Sequence, residues 1–305
     1  MLIDVKNATD NIRTIERGRV KEIEKKTAST GKTFFSITIM DKTATITGNA
    51  FNARDDVLQL AGKVVELEVR TKDGYVNFDK IREAVGEDPH NYVRCGHVSP
   101  EQGMRYLTET IDSMTDPDLK GVTKFLVKKN EEVFKTMAAG KSMHHDYLYG
   151  LITHTSGILA MGMAAVKIHP HLDRNLMIAG IILHDIGKVR EMKTDEFATT
   201  EYTLEGTFFG HLLIGVEMID DACRELGIDP KGEKIMMLKH MIASHHGKME
   251  YGAVKAPLFA EAWALSALDD FDAKMDMFRQ AGAPKGGMSD QKLAGIGYKI
   301  YGKSF

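Results

Sequence analysis

The chain has 305 residues, 43% of them hydrophobic and 27% charged, with a formal net charge of −3. That balance supplies apolar material for about two globular domains. It excludes bulk electrostatic attraction to nucleic acid, so any such role needs a local surface. Two cysteines, Cys95 and Cys223, without a C-x-x-C spacing exclude a disulfide framework and a thiolate zinc site and fit a reducing compartment. Met1-Leu2-Ile3-Asp4 lacks a basic-then-apolar leader, and no uncharged run approaches the ~18 residues of a membrane span. The expectation is a cytoplasmic protein that works away from membranes.

The first ninety residues read as β. Residues 12–23 alternate loosely. Thr33 to Met40 places Phe35, Ile37 and Ile39 on one face and Phe34, Ser36, Thr38 and Met40 on the other. Asp41-Lys42 turns into a strand over 44–51, and 52–60 reads as a short helix offering Val57 and Leu60 to a core. A strand over 63–70 follows, then the hairpin turn Asp73-Gly74 and a strand through Tyr75, Phe78 and Ile81. Five strands with a helix between the third and fourth match a small Greek-key barrel of the OB type.

Gly86, Pro89, Gly96 and Pro100 mark a linker. Beyond it the apolar period becomes 3.6. Ser99-Pro100-Glu101-Gln102 is a helix start with Pro at the first position. Helices are predicted over about 100–115, 117–138, 142–168, 173–183, 209–227, 231–246 and 257–279, and the Gly- and Lys-rich tail from Gln280 lies over the surface. The fold class is therefore multi-domain α+β: a five-stranded OB-like barrel over 1–84, a linker over 85–98, an all-α bundle over 99–280 and a tail over 281–305.

The helical part carries chemistry at its helix ends. His154 lies inside a long apolar helix, where a satisfied core histidine is the plain reading. His184-Asp185 ends the next one. A cation there suits the helix dipole, but an anion opposes it, and a bound metal removes the conflict. His211 follows Gly210 at a helix start, a place that disfavours imidazolium and favours a neutral, ligating ring. His245-His246 point about 100° apart on a helix, so both reach one centre only if the helix stops, which Gly247 permits. Asp269 sits mid-helix in an apolar stretch and needs a cationic partner if buried. Each residue alone has an ordinary structural explanation. Together they form a mixed nitrogen and oxygen set suited to Mn, Fe, Co or Zn.

His154-Thr155, His184-Asp185-Ile186-Gly187-Lys188, Gly210-His211, Ser244-His245-His246-Gly247 and Leu268-Asp269 resemble the motifs of HD-domain phosphohydrolases. The chain as a whole, an OB-like module followed by an HD domain, resembles the YhaM-type 3′→5′ exoribonuclease family. The resemblance implies a core metal set of His154, His184, Asp185 and Asp269. It adds His211, His245 and His246 as the extra ligands of two-metal members, with Asp185 as the bridge, and it points to manganese. Related HD-GYP phosphodiesterases place a Glu four residues before the first His. Gly150 stands there, and no Gly-Tyr-Pro follows His246, which argues against a third metal and against cyclic-dinucleotide specificity.

Two divalent ions roughly 3.5–4 Å apart would activate a water and hold the scissile phosphate. Lys188, one turn past His184, is a candidate phosphate partner, against the alternative of a solvated helix-end lysine. His145 is a candidate for substrate contact or for protonating the leaving oxygen, against a surface His144-His145 pair. His240 is structural. On the barrel, Phe34, Phe51, Tyr75 and Phe78 are candidate stackers for single-stranded nucleic acid. Lys25 and Lys32 flank a loop that could grip it, and Arg13 to Lys26 could form a basic edge.

The leading expectation is a 3′→5′ exonuclease on single-stranded RNA, and possibly DNA, releasing nucleoside 5′-monophosphates. The direction and products come from the resemblance. The alternatives are a phosphohydrolase of small nucleotides whose barrel serves homo-oligomer assembly, and a nucleic-acid-binding regulator with an inactive HD domain.

Overall fold

The computed structural model describes every residue except 7, 9, 10, 73, 142–144, 282, 284, 285, 290, 291, 294 and 305. The first residue of the predicted Asp73-Gly74 turn and His144 thus lie outside the described residues. The chain divides into two compact units, 1–95 together with 278–305, and 96–277.

In the first unit a short helix, α1 (Leu2–Lys6), precedes five strands: β1 (Arg13–Thr27), β2 (Thr33–Met40), β3 (Thr45–Ala50), β4 (Val64–Lys72) and β5 (Tyr75–Glu83). They close a barrel in the order β1-β2-β3-β5-β4. All pairs are antiparallel except β3 with β5, which meet in parallel register at Asn49 and Asn77. β1 closes the barrel because it is long enough to pair twice, Arg13–Arg19 with β4 and Arg19–Thr27 with β2. A register shift between Val20 and Glu22 lets it bend between its two partners. Phe35, Ile37, Ile39, Leu67 and Val69 fill the interior, as the alternation predicts. Phe78 fills it too. It is 1% exposed with its ring packed over Gly48, so it is removed from the candidate stackers. Residues 55–60 form a 3-10 turn that buries Val57 in place of the predicted helix, and α1 adds Leu2 and Val5 to the same core.

The second unit is helical: α2 (Pro100–Asp112), α3 (Pro117–Lys129), α4 (Glu131–Thr136), α5 (Gly150–Ile168), α6 (Arg174–Leu183), α7 (Lys188–Glu191), a hairpin of β6 (Met192–Thr194) and β7 (Thr200–Tyr202), α8 (Leu204–Leu226), α9 (Glu233–Ser244) and α10 (Ala260–Gln280). The predicted helix 117–138 is broken at Asn130, whose side chain donates to the Leu126 carbonyl. The predicted helix 142–168 begins only at Gly150. Ahead of it His145 and Tyr149 adopt φ of 47° and 64°, which no α-helix accommodates. α8 starts earlier than expected and is kinked at Gly210, whose φ of 65° and ψ of 159° belong to glycine alone.

α5 corrects another expectation. It is 19 residues long with a mean hydropathy of 1.4, so by length and composition it does reach what a membrane crossing requires. Half of it is buried inside the protein, where it packs against α2, α4 and α6.

Candidate metal centre

Five helices deliver one or two ligand candidates each to one place. α5 carries His154 one turn inside its start, fully buried. α6 is capped by Asp173, whose carboxylate accepts from the backbone N–H groups of Asn175 and Leu176. Its residues from Leu176 to Leu183 are all buried, which drives His184 and Asp185 at its end into the core at 0% and 2% exposure. The kink at Gly210 aims His211 inward. α9 stops at Ser244, with Gly247 at φ 75°, so His245 and His246 both reach the centre. α10 supplies Asp269 and, one turn on, Asp272.

The seven candidates form two groups that share Asp185. His154 Nε2 lies 3.2 Å from His184 Nε2 and 3.1 Å from Asp269 Oδ1. Asp185 Oδ2 faces this group, 3.3 Å from His184 Nε2 and 3.7 Å from His154 Nε2. The other oxygen, Oδ1, faces His211 Nε2 at 3.5 Å and His245 Nε2 at 3.7 Å. His211 Nε2 in turn lies 3.2 Å from His246 Nε2. Four of the rings are oriented from behind. Nδ1–H of His184 donates to the Ile181 carbonyl and that of His245 to the Ile242 carbonyl. His154 Nδ1–H donates to Asp272 at 2.8 Å and His211 Nδ1–H to Glu191 at 3.1 Å. These partners set the tautomer and leave each Nε2 lone pair pointing at the centre.

The donor set fits a divalent metal. Lone pairs 3.2 Å apart repel unless a cation sits between them. Asp185 Oδ1 is buried and has no hydrogen-bond partner among the described residues, a costly state for a carboxylate oxygen. The charges are also prepared. Burial, then the neighbouring His184, hold His245 well below the usual imidazole range. Burial, then His211, lower His246. Burial opposes the charge on Asp185, but Lys188 and His184 outweigh it and keep the carboxyl ionised. His154 is the exception: against its burial, hydrogen bonds to Asp269 and Asp272 raise it to about 9. A metal ion would take the place of that proton.

The structure changes the expectations for two further residues. Lys188 is not a solvated helix-end lysine. It is 8% exposed and donates to Asp185 Oδ2 at 2.7 Å. His145 lies behind the ligands. Its Nε2–H donates to Asp272 Oδ2 at 2.8 Å, its Nδ1 shares a 2.5 Å hydrogen bond with the Tyr147 hydroxyl, and its backbone N–H donates to Asp276. A direct contact with the leaving oxygen does not suit a ring held this way, and His145 instead steadies the carboxylate that orients His154. His240 accepts from the Leu258 N–H, a structural role as expected.

Sequence reasoning missed Glu191 and Asp272. Each carried a faint signal: Glu191 follows Lys188 by three residues, and Asp272 follows Asp269 by three, a spacing that places both on one helix face. Glu191 accepts from both the backbone N–H and the ring of His211, at 3.0 and 3.1 Å. Replacing Glu191 with Ala should therefore weaken metal binding about 10–100-fold, chiefly at the group containing His211. Metal titration followed by calorimetry checks this, and unchanged affinity would remove Glu191 from the site.

The nucleic-acid candidates lie on the barrel. Phe34 and the 54% exposed Phe51 stack on each other with ring centroids 5.0 Å apart. Tyr75 and Lys32 are exposed. Lys25 is exposed as well, but pairs with Asp55 at 2.7 Å. The expected basic edge is largely neutralised: Arg13 pairs with Glu68, Arg17 with Glu66 and Glu87, and Lys26 with Glu24, while Arg19 is buried.

Comparison with known proteins places this geometry. The HD domain family matches residues 151–274, and with it a divalent metal is implied. The 3′-5′ exoribonuclease YhaM of Bacillus subtilis (strain 168) is 33% identical over 271 residues, covering 86% of this chain and 85% of that protein. The protein of the same name from Geobacillus sp. (strain WCH70) is 35% identical over 272 residues, covering 86% and 82%. That of Bacillus velezensis is 34% identical over 272 residues, covering 86% and 85%.

Proposed function

The chain belongs to the YhaM 3′-5′ exoribonuclease family, and from that premise and the site we propose that it is a metal-dependent exonuclease removing nucleoside 5′-monophosphates from the 3′ end of single-stranded RNA. One observation carries the reading. The two oxygens of Asp185 face two separate ligand groups, Oδ2 toward His154 and His184 and Oδ1 toward His211 and His245, which is what a carboxylate bridging two ions requires. His154, His184 and Asp269 with Oδ2 would hold one ion, and His211, His245 and His246 with Oδ1 the other, manganese being the preferred metal. When bound, the ions supply Lewis acidity toward a phosphodiester and acidify a water.

The protein's own side chains do the rest. Glu191 and Asp272 fix the ring planes of His211 and His154. Lys188 keeps its charge, because Asp185 raises its ammonium against the effect of burial, and it offers that charge to a phosphate oxygen. The burial of His154, His184 and Asp185 keeps bulk water from the group of His154, His184 and Asp269. On the barrel, the stacked Phe34 and Phe51, exposed Tyr75, Lys25 near the end of β1 and Lys32 in the loop after it would guide the strand.

RNA labelled at one end tests polarity and substrate together. With manganese, 3′-labelled RNA should release its label at once as a mononucleotide, while 5′-labelled RNA should shorten through a ladder. The reverse pattern overturns the direction. Intact RNA alongside turnover of free or cyclic nucleotides overturns the substrate class in favour of a small-nucleotide phosphohydrolase. Elemental analysis should find about two ions per chain, and one ion would refute the bridging role of Asp185.

A further inference from the structure

Exposed aromatic side chains stand next in sequence to two of the ligand candidates, His211 and His246. Phe208 and Phe209 end the first segment of α8, directly before the kink at Gly210 that delivers His211. They are 68% and 57% exposed, with ring centroids 6.3 Å apart. The turn after His246 carries Met249 and Tyr251, 72% and 63% exposed. The two segments meet at the metal candidates: His211 and His246 touch through their Nε2 atoms, and a methyl placed on Gly252, next to Tyr251, would lie 3.6 Å from His246 Nδ1. Lys248 stands over the Tyr251 ring at 5.4 Å.

Exposed aromatic rings carry a hydration cost, and a cluster of them marks a binding surface. What binds must suit aromatic faces and a cation within a few residues of a phosphodiester-cleaving centre. A single strand of nucleic acid does, since it alternates flat bases with anionic phosphates. Resting on the reading of the site as a 3′-end nuclease, we propose that Phe208, Phe209 and Tyr251 form a base-stacking subsite for the terminal nucleotides of the strand, with Lys248 beside it for a backbone phosphate. The subsite takes any base, because every base has a π-face. It holds the last nucleotides beside His211 and His246 while the strand advances.

Substitution and substrate surgery test this together. Tyr251→Ala and Phe209→Ala should each raise KM for a single-stranded RNA about tenfold, with a smaller effect on kcat. Tyr251→Phe should retain the wild-type KM. An RNA whose two 3′-terminal residues are abasic should show the same rise with the wild-type protein, and on that RNA wild type and Tyr251→Ala should coincide. Three outcomes overturn the proposal: an unchanged KM in both alanine variants, no penalty for the abasic ends, or a fall in solution mass by light scattering in the variants, which would make the patch a contact between copies of the chain. Failure of the nuclease reading itself would show differently, as wild-type protein that leaves all these RNAs intact.

Discussion

Replacing Asp185 with Asn should lower kcat/KM on RNA by at least about a thousandfold, equivalent to roughly 4 kcal/mol of barrier, and should empty both ligand groups. The amide has nearly the carboxylate's shape, so the loss is one of charge and of lone pairs at the side chain that faces both groups. A ligand confined to one group gives a milder result: His246→Ala should cost one ion and retain the other. Asn at 185 has a second consequence, because Asp185 is also the partner of buried Lys188. Removing one member of a buried pair costs about 3–5 kcal/mol through the charge left behind. The Asp185→Asn protein should therefore melt well below wild type, and lost activity alone could be confused with lost fold. The double variant Asp185→Asn/Lys188→Met separates the two. With no orphaned ammonium its melting temperature should recover, and its metal content should not. A double variant that regained its metal would show that Asp185 serves only to neutralise Lys188.

The residues that were legible from sequence share one property: their chemistry conflicts with their place in a helix. His184-Asp185 at the end of an apolar helix and Asp269 in the middle of another are hard to explain without a cation, and the structure brings both carboxylates to within 4 Å of His184 Nε2. The barrel was legible too, because the strands alternate with the period of a sheet buried on one face and their number and order match an OB barrel. What stayed hidden depends on partners distant in sequence. Glu191 looks like an ordinary acid at the end of a short helix until the fold places it under His211. The lysines and arginines of β1 look like a basic edge until cross-strand pairing sets Arg17 against Glu66, 49 residues away. His145 looks like a surface residue, yet its left-handed backbone at φ 47° stops α5 from starting early and tucks the ring behind Asp272. The β6–β7 hairpin, with three residues to a strand, is too short for any period to reveal.

Gly187→Ala should abolish metal loading and remove most of the folded protein, although local backbone preference forecasts the opposite. Gly187 has φ −61°, a helical value at which alanine is ordinarily the better residue by about 0.5–1 kcal/mol. Its surroundings decide otherwise. A Cβ there would lie 2.1 Å from the His211 carbonyl oxygen and 2.8 Å from the Gly215 nitrogen, both backbone atoms of α8 that cannot turn aside as a side chain could. The start of α7 and the kinked part of α8 would have to separate, moving Asp185 and Lys188 away from His211 and splitting the two ligand groups at their bridge. Gly121 in α3 provides the contrast. The nearest atoms to a Cβ there are the side-chain methyls of Ile228 at 3.5 Å and Leu226 at 3.8 Å, an ordinary contact, so Gly121→Ala should raise stability by about 0.5–1 kcal/mol. Thermal melts of the two variants, with manganese titrated into each, separate propensity from close approach. If both alanines stabilised the protein, the contact between Gly187 and α8 could not be the one that holds the ligand groups together.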